Sequence, residues 1–138
     1  RAETEEKPEV SIKGVHILLA EDNELNMEIA EFMLQNEGAD VTKAWNGREA
    51  VEIFRKSEPD EFDVILMDIM MPVMNGYEAT KMIRSLERED AKTIPIIAMT
   101  ANAFTEDRLK AKEAGMDEHI AKPVDPELLV KVIYESVD

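Results

Sequence analysis

The chain predicts an α/β domain: a doubly wound, five-stranded parallel sheet with five helices. Three observations carry this. Short apolar runs alternate with amphipathic stretches from Val15 onward. Each run has the length and continuity of a strand buried on both faces. Each amphipathic stretch has helical length and opens on a capping residue or a turn dipeptide.

The elements follow in order. Strands are expected near 15–20, 40–44, 63–67, 95–99 and 118–121. Helices are expected near 24–37, 47–57, 76–88, 105–114 and 125–136. Asn23 or Glu24 can begin the first helix, and Gly38 marks its end. Asn46-Gly47 and Asn75-Gly76 mark the turns before the second and third. Thr105-Glu106-Asp107 opens the fourth and Gly115 closes it. Asp125 before Pro126 supplies an N-cap and a first-turn proline for the fifth. Residues 1–13 are charged and carry little apolar content, which reads as a linker or tail ahead of a single domain over 14–138.

Composition bounds the function. Lys plus Arg is 16 against 31 Asp plus Glu, a formal net charge of −15. Such acidity argues against nucleic acid, whose phosphates need Lys and Arg, and against an anionic membrane surface. A docking partner is expected to be basic, neutral or apolar where it touches. With no cysteine there is no disulfide and no thiolate chemistry, and two histidines make a multi-His metal site unpromising. No apolar stretch approaches a membrane span and no signal peptide opens the chain, so the expected location is cytoplasmic.

The chemistry lies at the carboxyl ends of the strands, where ligands bind in open α/β sheets. Asp68 ends the run Val64-Ile65-Leu66-Met67. Glu21 and Asp22 follow Val15 to Ala20, Thr100 follows Ile96-Ile97-Ala98-Met99, and Lys122 follows His119-Ile120-Ala121. Three acids at adjacent strand ends repel one another unless a cation joins them or their pKa values rise. Mg²⁺ suits this inventory, because it prefers one or two carboxylates plus waters and phosphate oxygens. On this reading Asp68 is a carboxylate nucleophile toward phosphorus, Asp22 and Asp68 are direct metal ligands and Glu21 holds a metal-bound water. Lys122 and Thr100 then meet the equatorial phosphoryl oxygens. Singly, each residue has an ordinary explanation: the acids as helix N-terminal charges, Lys122 as a solvated lysine, Thr100 as a loop cap.

Five motifs in order resemble the receiver domain of two-component response regulators: Glu21-Asp22-Asn23, Met67 to Pro72, Asn75-Gly76, Met99-Thr100-Ala101 and Ala121-Lys122-Pro123. The resemblance covers about residues 14–137. It implies a flavodoxin-like sheet in the order 2-1-3-4-5. It also implies phosphorylation of Asp68 from a phosphohistidine, with the backbone carbonyl of Met70 as a further metal ligand. His119 occupies the family's aromatic switch position and works there with Thr100. Met70 and Asn102 occupy the positions two beyond Asp68 and Thr100, where the family tunes phosphoryl lifetime. The resemblance further implies a cis Lys122–Pro123 bond, against the trans isomer that ordinary X–Pro bonds favour.

Details resemble the receivers of hybrid sensor kinases: Glu21 to Asn26, Met71 to Gly76 and Thr100 to Phe104, with a charged lead-in and nothing after the last helix. The partners so implied are a histidine kinase core and a histidine phosphotransfer domain. In related receivers the first helix docks the four-helix phosphotransfer bundle. Here its apolar residues span an arc of roughly 220°, wider than one core-facing stripe needs. Either the helix is deeply packed, or one flank, Leu25 with Phe32 or Met27 with its neighbours, is exposed for a partner.

Three other readings fit less well. A haloacid dehalogenase-type hydrolase also uses an aspartyl nucleophile, but wants a second aspartate where Met70 stands. A P-loop nucleotidase needs a glycine-rich loop before Lys-Ser/Thr, which the chain lacks. A pseudo-receiver that is never phosphorylated would not need the intact set of acids, threonine and lysine.

Overall fold

The computed structural model describes residues 10–101 and 105–137. The expected lifetime-tuning residue Asn102 and most of the tail lie outside the described residues. Five strands form the sheet: β1 (His16–Ala20), β2 (Asp40–Ala44), β3 (Val64–Asp68), β4 (Ile96–Thr100) and β5 (Glu118–Ala121). All neighbours are parallel, and the order is β2-β1-β3-β4-β5. β3 and β4 are buried along their whole length, as continuous Val, Ile, Leu and Met runs require.

Six helices, not five, occur among the described residues: α1 (Glu24–Asn36), α2 (Gly47–Lys56), α3 (Gly76–Arg84), α4 (Glu89–Thr93), α5 (Thr105–Ala114) and α6 (Pro126–Val137). The expected helix over 76–88 stops at Arg84, and a short helix follows. The cause is Arg88. Its guanidinium lies 4.6 Å over the Phe54 ring and donates to the carbonyls of Phe54, Ser57 and Glu58 at 2.9, 3.0 and 3.1 Å. A forked pair of 2.7 Å bonds to Asp90 completes the clasp. The chain is thereby drawn to the end of α2 and cannot continue α3. No sequence period announces such a long-range clasp.

The sheet separates two apolar layers. Phe54, Met71, Ala79, Ile83 and Ala111 from α2, α3, α5 and their loops pack on one face. Met27, Leu34, Leu129 and Ile133 from α1 and α6 pack on the other. Ile12 belongs to this second layer and is fully buried. Ile12, within the stretch expected as a tail, thus packs with the domain. A lone isoleucine in a charged stretch is inconspicuous, yet it closes the core below β1. No helix among the described residues is long and apolar enough to cross a membrane.

Candidate functional site

Parallel register brings the chemistry to one edge. Ala20 pairs with Met67, Asp68 with Met99, and Thr100 with Ala121. The residues just past these levels therefore converge: Glu21 and Asp22 after β1, Asp68 and Thr100 ending β3 and β4, and Lys122 after β5. Backbone bonds extend the ladder beyond the strands, from Glu21 N–H to the Ala44 carbonyl at 3.0 Å and from Lys122 N–H to the Thr100 carbonyl at 2.8 Å.

Lys122 joins the pocket. Its Nζ lies 2.9 Å from Glu21 Oε1 and 3.0 Å from Asp68 Oδ2. The Lys122–Pro123 bond is cis, as the resemblance implies. Burial works against the Lys122 charge, but hydrogen bonds to Glu21 and Asp68 outweigh it and hold the ammonium above its ordinary range. Burial pushes the Asp68 carboxyl up to about 6; the Lys122 hydrogen bond opposes this and the Glu21 charge adds to it. One ammonium thus leaves the acids undercompensated.

Asn23 does two tasks. Its side chain caps α1 by accepting from Asn26 N–H at 2.9 Å, while its own N–H donates to Glu21 Oε2 at 3.1 Å. The helix start thereby orients a glutamate that is only 3% exposed. On the far side of Asp68, Asn75 and Glu78 form a reciprocal capping box at the start of α3. Gly76 is needed between them, because a Cβ there would stand 2.4 Å from the Asp68 carbonyl oxygen. That close approach explains the Asn-Gly pair better than turn propensity alone.

The donor set fits a hard divalent cation. Carboxylate oxygens of Glu21, Asp22 and Asp68 all lie within 4.8 Å of one another. Oxygen-only ligation with two buried acids and one exposed suits an ion that keeps several waters. Thr100 is buried at the end of β4, beside this set. Met70 follows Asp68 by two residues with its side chain 76% exposed. His119 is half-buried on β5, in register with Ala98, and faces the side of the sheet that carries α5. It is thus set back from the pocket that Lys122 enters.

The first helix answers the question its wide arc posed. Leu25, Ile29 and Phe32 form an exposed stripe, whereas Met27, Ala30 and Leu34 are buried. The two stripes lie about 180° apart at 100° per residue. Met27 is therefore core and not a contact residue: its side chain is wholly enclosed between α1 and the sheet. Ile29 lies on the exposed stripe instead, one turn from Leu25 and at the spacing that should have singled it out. A crevice of about 370 Å³ runs from Ile29 and Met33 to the Pro123-Val124 turn and is bordered by Glu21 and Lys122.

Comparison with known proteins agrees with this geometry. The model of the response regulator receiver domain family matches residues 17–134. Hybrid signal transduction histidine kinase I of Dictyostelium discoideum is 41% identical over 123 residues, covering 88% of this chain and 7% of that protein. The chain thus spans a small part of such a relative's length. The receiver domain of a Pseudomonas aeruginosa sensor histidine kinase was crystallised with a magnesium ion in its active site cleft. It superposes with a TM-score of 0.81 at 39% identity, covering 90% of this chain and 98% of that one. The receiver domain of the Saccharomyces cerevisiae response regulator Ssk1 was crystallised with the histidine phosphotransfer signaling protein Ypd1. Its TM-score is 0.82 at 32% identity, covering 91% of this chain and 90% of that one.

Proposed function

The chain belongs to the response regulator receiver domain family of phosphoacceptor signalling modules, and from that premise we propose that Asp68 is its phosphoacceptor and that a protein phosphohistidine is its donor. The observation that carries this is Lys122 Nζ within 3.0 Å of Asp68 Oδ2, inside a cluster of three carboxylates. An Asp68 oxygen attacks phosphorus, the P–N bond breaks, and its electron pair returns to the imidazole. The product is an acyl phosphate on Asp68. Lys122 is already in place to pair with the new oxygens, and Thr100 lies one strand away to donate to another.

Glu21, Asp22 and Asp68, with the Met70 carbonyl, would hold Mg²⁺. When bound, Mg²⁺ neutralises charge on the acids and on the phosphoryl oxygens. Glu21 keeps Lys122 in the pocket before the phosphoryl group arrives. Thr100 and His119 form the switch that reports phosphorylation, the first at the pocket and the second behind it. The module assists its own phosphorylation and dephosphorylation rather than turning over a separate substrate. The partner is a histidine kinase core or a histidine phosphotransfer protein, docked on Leu25, Ile29 and Phe32 of α1, in a cytoplasmic setting.

The test is intact-protein mass spectrometry after incubation with Mg²⁺ and a small acyl phosphate. The wild type should gain one phosphoryl group that is lost on mild base treatment. The Asp68→Asn variant should gain none; stable Mg²⁺-dependent labelling of that variant would sink the assignment.

A further inference from the structure

The chain has no cysteine, so the side chains that peroxide oxidises most readily are its nine methionines. All nine lie among the described residues. Five are buried, Met27, Met67 and Met99 almost completely. Met33 and Met74 pack against the core. That leaves two thioethers in solvent, Met82 at 46% exposure and Met70 at 76%. Met70 is held outward by its neighbours. Ile69 and Met71, on either side of it, are buried in the core. The Ile69 N–H donates to the Met99 carbonyl at 3.1 Å, and the Ile69 carbonyl accepts from Gly76 N–H at 2.9 Å. With both flanks fixed, the chain presents the Met70 side chain to solvent two residues beyond Asp68. It does no packing there, so a change in its polarity costs the fold little.

We propose that Met70 is a reversible oxidation site for hydrogen peroxide, and that its sulfoxide shortens the life of the phosphoryl group on Asp68. The inference rests on the reading of Asp68 as phosphoacceptor. A sulfur lone pair attacks one peroxide oxygen, and the S–O bond forms as the O–O bond breaks. The other oxygen takes up the remaining proton and leaves as water. Sulfur is oxidised by two electrons and peroxide is reduced by two. A thioether is apolar and a weak acceptor, whereas a sulfoxide oxygen is polar and accepts strongly. Hydrolysis of the acyl phosphate needs a water aligned on phosphorus. Asp68 is 4% exposed, so that water must come in through the pocket mouth. The Met70 thioether offers it no good partner. The sulfoxide oxygen accepts one of its protons and holds it close to phosphorus, which raises the chance of attack. Met82 is the internal comparison. It lies in the last turn of α3, at the end of that helix remote from Asp68, so its oxidation leaves the pocket unchanged.

The experiment treats the protein with hydrogen peroxide, labels it with Mg²⁺ and a small acyl phosphate, removes the donor and follows phosphoryl loss by intact mass. Peptide mapping should find the first added oxygen on Met70. The oxidised wild type should lose its phosphoryl group about fivefold faster, the rate equivalent of one net hydrogen bond. Methionine sulfoxide reductases of both stereospecificities should restore the original rate. Met70→Leu should show the same rate with and without peroxide, while Met82→Leu should respond to peroxide as the wild type does. Met70→Gln, which puts an amide oxygen near the sulfoxide's position, should be faster than Met70→Leu without any oxidant. The melting temperature of the oxidised wild type should stay level. First oxidation at Met82 or at a buried methionine would overturn the proposal, as would an unchanged lifetime, an equal peroxide response in Met70→Leu, or a lifetime that falls together with the melting temperature. Failure of the untreated wild type to label would instead remove the acceptor reading, and this inference with it.

Discussion

Asp68 sits where its own charge works against the fold. Its carboxyl titrates near 6 rather than the ordinary 3.8, with burial as the first cause. The folded state therefore binds more protons than the unfolded state between those values. Stability falls as pH rises through that window, and the deficit is fully developed above about 6. Asp68→Asn removes the charge but keeps the shape. In metal-free buffer it should raise stability at pH 7.5 by up to about 3 kcal/mol, and by nearly nothing at pH 3.5. Paired urea melts at the two pH values check this. A variant that is less stable at pH 7.5 would mean that the Lys122 bond, not burial, governs the site.

At the same scale, Asp68, Asp22, Thr100 and Lys122 were legible because each follows an apolar run, and a strand's end can be read from the run. Glu21 was legible as an acid but not as the partner of Lys122. That pair spans 101 positions, and only the β1–β3–β4–β5 register closes the gap.

Among the elements, α1 and the α3–α4 segment show opposite lessons. The α1 sequence holds two apolar stripes, and periodicity alone does not say which one meets the sheet. Leu25→Glu or Phe32→Glu should therefore leave the melting temperature within about 2 °C, since both side chains are already exposed. Transfer from a protein phosphohistidine should slow tenfold or more, while labelling by a small acyl phosphate continues. Stopped reactions with the two donors, run in parallel, separate these outcomes. Met27→Glu should instead unfold the domain, because it buries an unpaired charge.

The α3–α4 segment depends on one guanidinium. Asp90 is 8% exposed, accepts from both Arg88 and Asp60 N–H, and is held below the usual carboxylate range first by the Arg88 hydrogen bond. Arg88→Ala leaves that carboxylate buried with its charge partner removed, and strips donors from the carbonyls at the end of α2. A loss of about 3 kcal/mol is expected at neutral pH. It should shrink as pH falls through the carboxylate range, since a depressed acid stabilises only when ionised. Denaturant melts at pH 7 and pH 3.5 read the difference. Asp68 labelling by a small donor should be unaffected below the melting temperature, because Arg88 contacts none of the pocket residues.

For the whole molecule, a site of undercompensated acids couples metal binding to folding. Mg²⁺ binding at the three acids should stabilise the folded state by mass action, about 2.7 kcal/mol at a hundred times its dissociation constant. Asp22→Ala should abolish the Mg²⁺-dependent rise in melting temperature. In the wild type the rise should fade below pH 6, as the Asp68 carboxyl takes up its proton. Thermal melts across a Mg²⁺ titration at pH 7.5 and pH 5 test both statements. Trp45 stands at the end of β2, 37% exposed, so a melt followed by calorimetry is preferable to one followed by its emission.

What the sequence determined by itself was the alternation of strands and helices, the edge of the sheet that carries the chemistry, and the charged residues gathered there. These follow from local rules: a buried parallel strand must be apolar throughout, a helix must open on a cap, and ligands meet strands at their carboxyl ends. Tertiary structure decided the rest. It drew Ile12 into the core, ended α3 early through Arg88, turned Met27 inward and Ile29 outward, and set Lys122 between Glu21 and Asp68. Each of these depends on what lies across a gap of many residues. A chain reports its neighbours along the backbone, but only packing decides which of two apolar faces is covered and which distant charge becomes a partner.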